Sequence, residues 1–132
     1  MWLSSLSDTQ RAALIGLAHS VVVSDGLLDP NEEFMLDEFK REMALSSKTS
    51  EHDIATSDLA KTFDSPRTRR IAIINLLRLS YVDGEFDVEE ECLLKQIAIR
   101  FDIGEMEFRR MDSWVRRLMS LENEASDQFL QE

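Results

Sequence analysis

A single cysteine in 132 residues leaves no intrachain disulfide framework, and it excludes thiolate-rich zinc and iron–sulfur sites as well. Two prolines and four glycines supply few breakers, and no stretch alternates apolar and polar residues over the length of a strand. No apolar run approaches the ~20 residues that a membrane span needs. The longest, Ala12 to Val23, is interrupted by His19 and Ser20. The opening MWLSSLSDTQ has neither a basic n-region nor a clear cleavage site. These absences predict a soluble, cytoplasmic protein with no direct membrane insertion. Basic residues are also in the minority, 15 against 26 acidic, giving a net charge of -11. That charge repels phosphate backbones, so nucleic acid is not an expected partner. Cations and basic protein surfaces fit better, and a protein partner is expected.

What is present reads as helix. Ser7 and Gln10 form a capping-box pattern that opens a helix from about Asp8 to Ser24, with Gly26 placed to end it. Asp29 opens a second helix, with Pro30 at the first helical position and Glu32 able to close the box. Phe34, Met35, Leu36, Phe39 and Met43 define its apolar face. Residues 46–65 are more polar, and Ile54, Leu59, Ala60 and Phe63 suggest one or two short helices there. Ser65-Pro66 restarts the chain into its most apolar helix, from Pro66 to about Val82, which belongs at the centre. Asp87 starts the next helix, and Gly104 or a neighbour marks another break. A last helix carries Met106, Met111, Trp114, Val115 and Leu118, and is expected to fray into a polar tail after about Glu122.

The chain contains a repeat. Asp25-Gly26-Leu27-Leu28-Asp29-Pro30-Asn31-Glu32-Glu33 returns 58 residues later as Asp83-Gly84-Glu85-Phe86-Asp87-Val88-Glu89-Glu90-Glu91. Both read D-G-x-x-D-x-x-E-E, and the apolar flanks agree at the same spacing. Residues 13–46 and 71–104 are therefore expected to be two copies of one helix–loop–helix unit. The predicted fold is a single all-α domain over residues 1–132, a compact bundle of about six or seven helices with a pseudo-twofold internal repeat.

Helix capping accounts for Gly26, Asp29 and Glu32, and for Gly84, Asp87 and Glu90. It does not account for Asp25 or Asp83. A carboxylate in the last turn of a helix faces the negative end of the dipole. Residues Asp83 to Glu91 alone hold six acids. Such clusters repel themselves unless a cation or a basic group compensates. Two readings stand: cation binding through Asp25, Asp29, Glu32, Asp83, Asp87 and Glu90, or an acidic face that is solvated or paired with arginines. Ligands of this kind are hard oxygens, which favour Ca²⁺, Mg²⁺ or Mn²⁺ over Zn²⁺. The loops are not EF-hands, because the glycine directly follows the first aspartate.

At these residues the sequence resembles the tellurite-resistance TerB family, which is related to the N-terminal region of the DjlA co-chaperones. The signature is D-G-x-x-x-x-x-E after an apolar helix, at Asp25-Gly26 with Glu32 and again at Asp83-Gly84 with Glu90, and the resemblance covers about residues 10–121. It implies a compact all-helical module associated with stress response, with acidic residues proposed to bind metal and no established catalytic activity.

The remaining candidates are expected to be structural. Cys92 matches Phe34 in the first copy and is expected to be a buried, inert thiol. His19 is expected to be a core or boundary histidine, and Trp114 to pack in the core. Trp2 and Leu3 are placed to staple onto the bundle. No nucleophile–base spacing and no phosphate-binding glycine loop is present, so the chain is not expected to be an enzyme. Arg109, Arg110, Arg116 and Arg117 form a basic stripe, and Arg67, Arg69 and Arg70 a second cluster. These arginines are read as pairing with acids within the molecule or across a homodimer, or as a docking surface for an acidic partner.

Overall fold

A computed structural model describes residues 1–23, 30–44, 59–82 and 88–130. The described residues form six α-helices and one short 3-10 turn, with no strand. After the turn at Leu3–Ser5 come α1 (Asp8–Val22), α2 (Pro30–Glu42), α3 (Leu59–Thr62), α4 (Pro66–Tyr81), α5 (Val88–Arg100) and α6 (Glu105–Phe129). Gly26, Asp29, Ile54, Gly84 and Asp87, to which the sequence assigned caps and helix starts, lie outside the described residues.

Local hydrogen-bond chemistry explains where the two longest core helices begin. The Ser7 hydroxyl accepts from the Gln10 N–H at 3.2 Å, and the Gln10 side chain accepts from the Ser7 N–H at 2.9 Å. At α4 the Ser65 hydroxyl accepts from the Thr68 N–H at 3.2 Å, and Pro66 occupies the first turn. Each box satisfies donors that a helix start leaves orphaned.

Helices α1 and α4 pack on each other, and α2 and α5 each lie against both. Helix α6 covers α4, and the short α3 abuts α1. The core is continuous through Leu14, Ile15 and Val22 of α1 and Ile73, Leu76 and Leu77 of α4, all essentially inaccessible. The apolar helix from Pro66 is thus central, as its composition predicts. Its two buried polar residues are satisfied. Asn75 donates to the Ile71 and Met1 carbonyls at 2.8 and 3.0 Å, and the Ser80 hydroxyl donates to the Leu76 carbonyl at 3.0 Å. Leu3 is fully buried, and the Trp2 ring lies 6.1 Å from that of Trp114, so the first residues do staple onto the bundle.

Several features recur at the 58-residue spacing. The bounds of α2 and α5 coincide at that spacing, as do the serines that cap α1 and α4. Ala13 and Ile71, Val21 and Leu79, Leu36 and Leu94, and Met43 and Phe101 are all buried. Ala44 and Asp102, just past α2 and α5, are both left-handed, with φ of 57° and 58°. At the second, the Asp102 N–H donates to the Ile99 carbonyl and the Ile103 N–H to that of Ala98, a Schellman closure.

Four expectations are corrected. Cys92 is exposed rather than buried. Its counterpart Phe34 is 60% exposed, so the two positions do match, but on the outer face of their helices. Met106 is also exposed. Helix α6 does not fray after Glu122 but continues to Phe129. An Arg78–Glu122 ion pair at 3.3 Å ties it to α4, and the Gln128 amide donates to Glu124 one turn back.

Candidate functional site

Glu32 and Glu90 occupy the third position of α2 and α5, at the 58-residue spacing, and each is 2% exposed. That is the position from which a capping-box carboxylate reaches back to the N-cap. It also places negative charge at the favourable end of the helix dipole. Near-complete burial was not legible from capping alone, since most first-turn glutamates are solvated: Glu33 and Glu89 are exposed, and Glu91 pairs with Lys95 at 3.1 Å. Asp25, Asp29, Asp83 and Asp87 lie outside the described residues. Among the described residues no group of three or more His, Cys, Asp or Glu is arranged to hold a metal ion. His19 is a boundary residue on α1, as expected, and His52 lies outside the described residues.

The last turn of α4, which leads to the second acidic loop, is pinned by a polar triad. The Tyr81 hydroxyl donates to Asp112 Oδ1 at 2.6 Å and accepts from Arg116 Nε at 2.8 Å. Arg116 also pairs with Asp112 at 3.2 Å and stacks over the Tyr81 ring. Burial, and then the Asp112 carboxylate beside it, push the Tyr81 phenol up to about 12. Tyr81 is the single tyrosine, so tyrosinate absorbance reads it directly. Its titration is expected near pH 12 in the folded protein and near 10 after unfolding. The raised folded-state value means this group's contribution to stability is present below pH 10 and is lost as pH rises toward about 12. Titration near 10 in the folded chain would contradict the triad.

The arginine clusters divide into different roles. Arg69 is not part of an exposed basic patch. Its guanidinium donates to the carbonyls of Ala60, Phe63 and Phe101, the first at 2.8 Å and the last at 3.3 Å. Arg11, 58 residues earlier, donates to the Met43 carbonyl at 3.0 Å and to that of Ser4 at 2.7 Å. Each arginine thus closes the C-terminal end of the helix that follows the next loop, where a cation suits the dipole. The spacing of the repeat pairs Arg11 with Arg69 and was the signal available for finding them. On the outer surface, Arg70 pairs with Glu107, Arg109 with Glu105 and Arg116 with Asp112, as the intramolecular reading predicts. Arg110 and Arg117 are exposed, with no ion pair or hydrogen bond among the described residues.

A family model for the tellurite resistance protein TerB matches residues 39–113, more than half of the chain. The chain belongs to the TerB family. The TerB match runs from within α2 through α4 and α5 into α6. It includes the second Asp-Gly loop with Glu90 and stops short of Asp25 to Glu32. No curated protein and no solved structure matches this TerB chain. The family makes it a tellurite-resistance-related helical module.

Proposed function

We propose that this TerB chain is a non-catalytic, cytoplasmic stress-response module that binds a divalent cation through its acidic Asp-Gly loops. The observation that carries the reading is the burial of Glu32 and Glu90 at matching positions, each in the helix turn that leaves an acidic loop. A carboxylate withdrawn from water is costly without compensation, and a cation adds to what a helix N-terminus supplies. The donors are hard oxygens, which fit Ca²⁺, Mg²⁺ or Mn²⁺. Asp25, Asp29 and Glu32 would serve the first loop, and Asp83, Asp87 and Glu90 the second. The cation would supply charge neutralisation, allowing each loop to close against the helices that flank it. The absence of a nucleophile–base spacing supports a binding role over a catalytic one.

The test is an amide NMR titration of the metal-stripped protein with Ca²⁺, Mg²⁺, Mn²⁺ and Zn²⁺, beside an Asp25→Asn/Asp83→Asn variant. Saturable shifts over residues 24–32 and 83–90 are expected, and their loss in the variant. No saturation at millimolar ion overturns the cation reading. The same acids would then be tested against a basic protein surface.

A further inference from the structure

Helix α6 divides sharply along its length of about 37 Å. Its first half packs on α4 through Phe108, Met111 and Val115, which are buried. Its second half has little to pack on. From Ser120 to Leu130 every residue but Ala125 is exposed, and Leu121, Phe129 and Leu130 each present more than 60% of their surface. Helices are normally held by tertiary packing of an apolar face, and a helical end without it is marginal in water. Charge divides the same way. Residues 119–130 contain Glu122, Glu124 and Asp127 and no basic residue. The first half carries Arg110 and Arg117, free of ion pairs among the described residues in a chain of net charge -11.

Beside the first half runs an open groove of about 1120 Å³ between α4 and α6. Ile74, Met106 and Trp114 give it apolar walls, the Arg70–Glu107 pair sits at its edge, and Arg110 and Arg117 line it with positive charge. Its complement is an acidic helical segment with exposed apolar side chains. The second half of α6 is such a segment, and it cannot fold back onto the groove of its own chain because the helix is continuous from Glu105 to Phe129.

We propose that two copies of this chain pair antiparallel along α6, the acidic half of each helix lying along the arginine-lined groove of the other. A twofold axis near Leu118 relates the two halves, so the contact is made twice and closes on itself. In that register Arg110 of one copy faces Asp127 of the other, and Arg117 lies about four residues along the helix from Glu124, within reach of a long side chain. Met106 lies near Leu130 of the second copy, and both side chains leave water. The pairing is independent of the cation reading, since none of its residues belongs to the Asp-Gly loops.

The experiment is mass measurement by light scattering and sedimentation across chain concentration, up to about 100 µM at low salt. The wild-type chain is expected to reach about twice its monomer mass, and to lose that mass at high salt. Arg110→Glu/Arg117→Glu and Glu124→Lys/Asp127→Lys are each expected to remain monomeric with unchanged helical circular dichroism. All four substitutions in one chain are expected to restore the dimer, because every charge pair is reversed in sign and kept. A wild-type monomer at the highest concentration overturns the proposal. So does a dimer that survives both double substitutions, since it would use another face, or failure of the fourfold variant to dimerise while folded.

Discussion

Replacing Phe101 with alanine is expected to lower the free energy of unfolding by about 3–5 kcal/mol, read from urea unfolding. The ring is 1% exposed and meets the fully buried Phe63 edge-on, with centroids 5.3 Å apart. An edge-to-face pair adds about 0.5–1.5 kcal/mol to the area it buries. The position also matters because Phe63 follows α3, a helix of only four residues whose apolar anchors are Leu59 and Phe63. Loss of the Phe101 ring should therefore loosen Leu59–Phe63 locally as well as weaken the whole, visible as faster amide exchange there. Phe34→Ala is the matched control. That ring is 60% exposed, with Arg41 over its face, and its removal is expected to cost under about 1 kcal/mol. A larger loss for Phe34→Ala than for Phe101→Ala would contradict the core described above.

Arg69→Met is expected to cost about 2–4 kcal/mol, since hydrogen bonds from a charged donor are worth about 1.5–3 kcal/mol each and do not add fully. Three carbonyls on two separate parts of the chain, the Ala60–Phe63 turn and the end of α5, lose their donor at once. Methionine keeps most of the aliphatic bulk, so the loss reads the fork rather than the packing. Arg69→Lys is expected to recover only part of it, because one ammonium cannot reproduce a planar fork that serves carbonyls on different elements. Arg11→Met is expected to cost less, with two carbonyls affected. Full rescue by lysine would show that charge near the helix end matters and the fork does not.

The elements that sequence reveals best here are those whose determinants lie within four residues of one another. Ser7 with Gln10, and Ser65 followed by Pro66, specify helix starts through hydrogen bonds made inside a single turn, and both starts were found in place. Burial of individual faces was less legible. Phe34 and Cys92 occupy matching positions, and apolar character suggested the inside for both. On a short helix with a broad apolar arc, one position at its margin faces out, and composition does not say which. The extent of α6 was missed because its last turns draw on an ion pair to Arg78, 44 residues away. The arginine clamps were missed for a related reason. A guanidinium that seeks distant carbonyls leaves no local pattern, and only the recurrence at 58 residues betrays the pair. Of the candidate site, the first-turn placement of Glu32 and Glu90 was readable from spacing, whereas their burial depends on the helices packed around them.

The two tryptophans of the chain are neighbours, with Trp2 resting against Trp114 on α6. Ultraviolet emission from the whole molecule therefore comes from one spot, where the first residues meet the flank of the longest helix. A second copy settling along α6 would land beside the emitters and alter colour and lifetime together. The protein thus carries its own optical gauge of the pairing proposed for its longest helix.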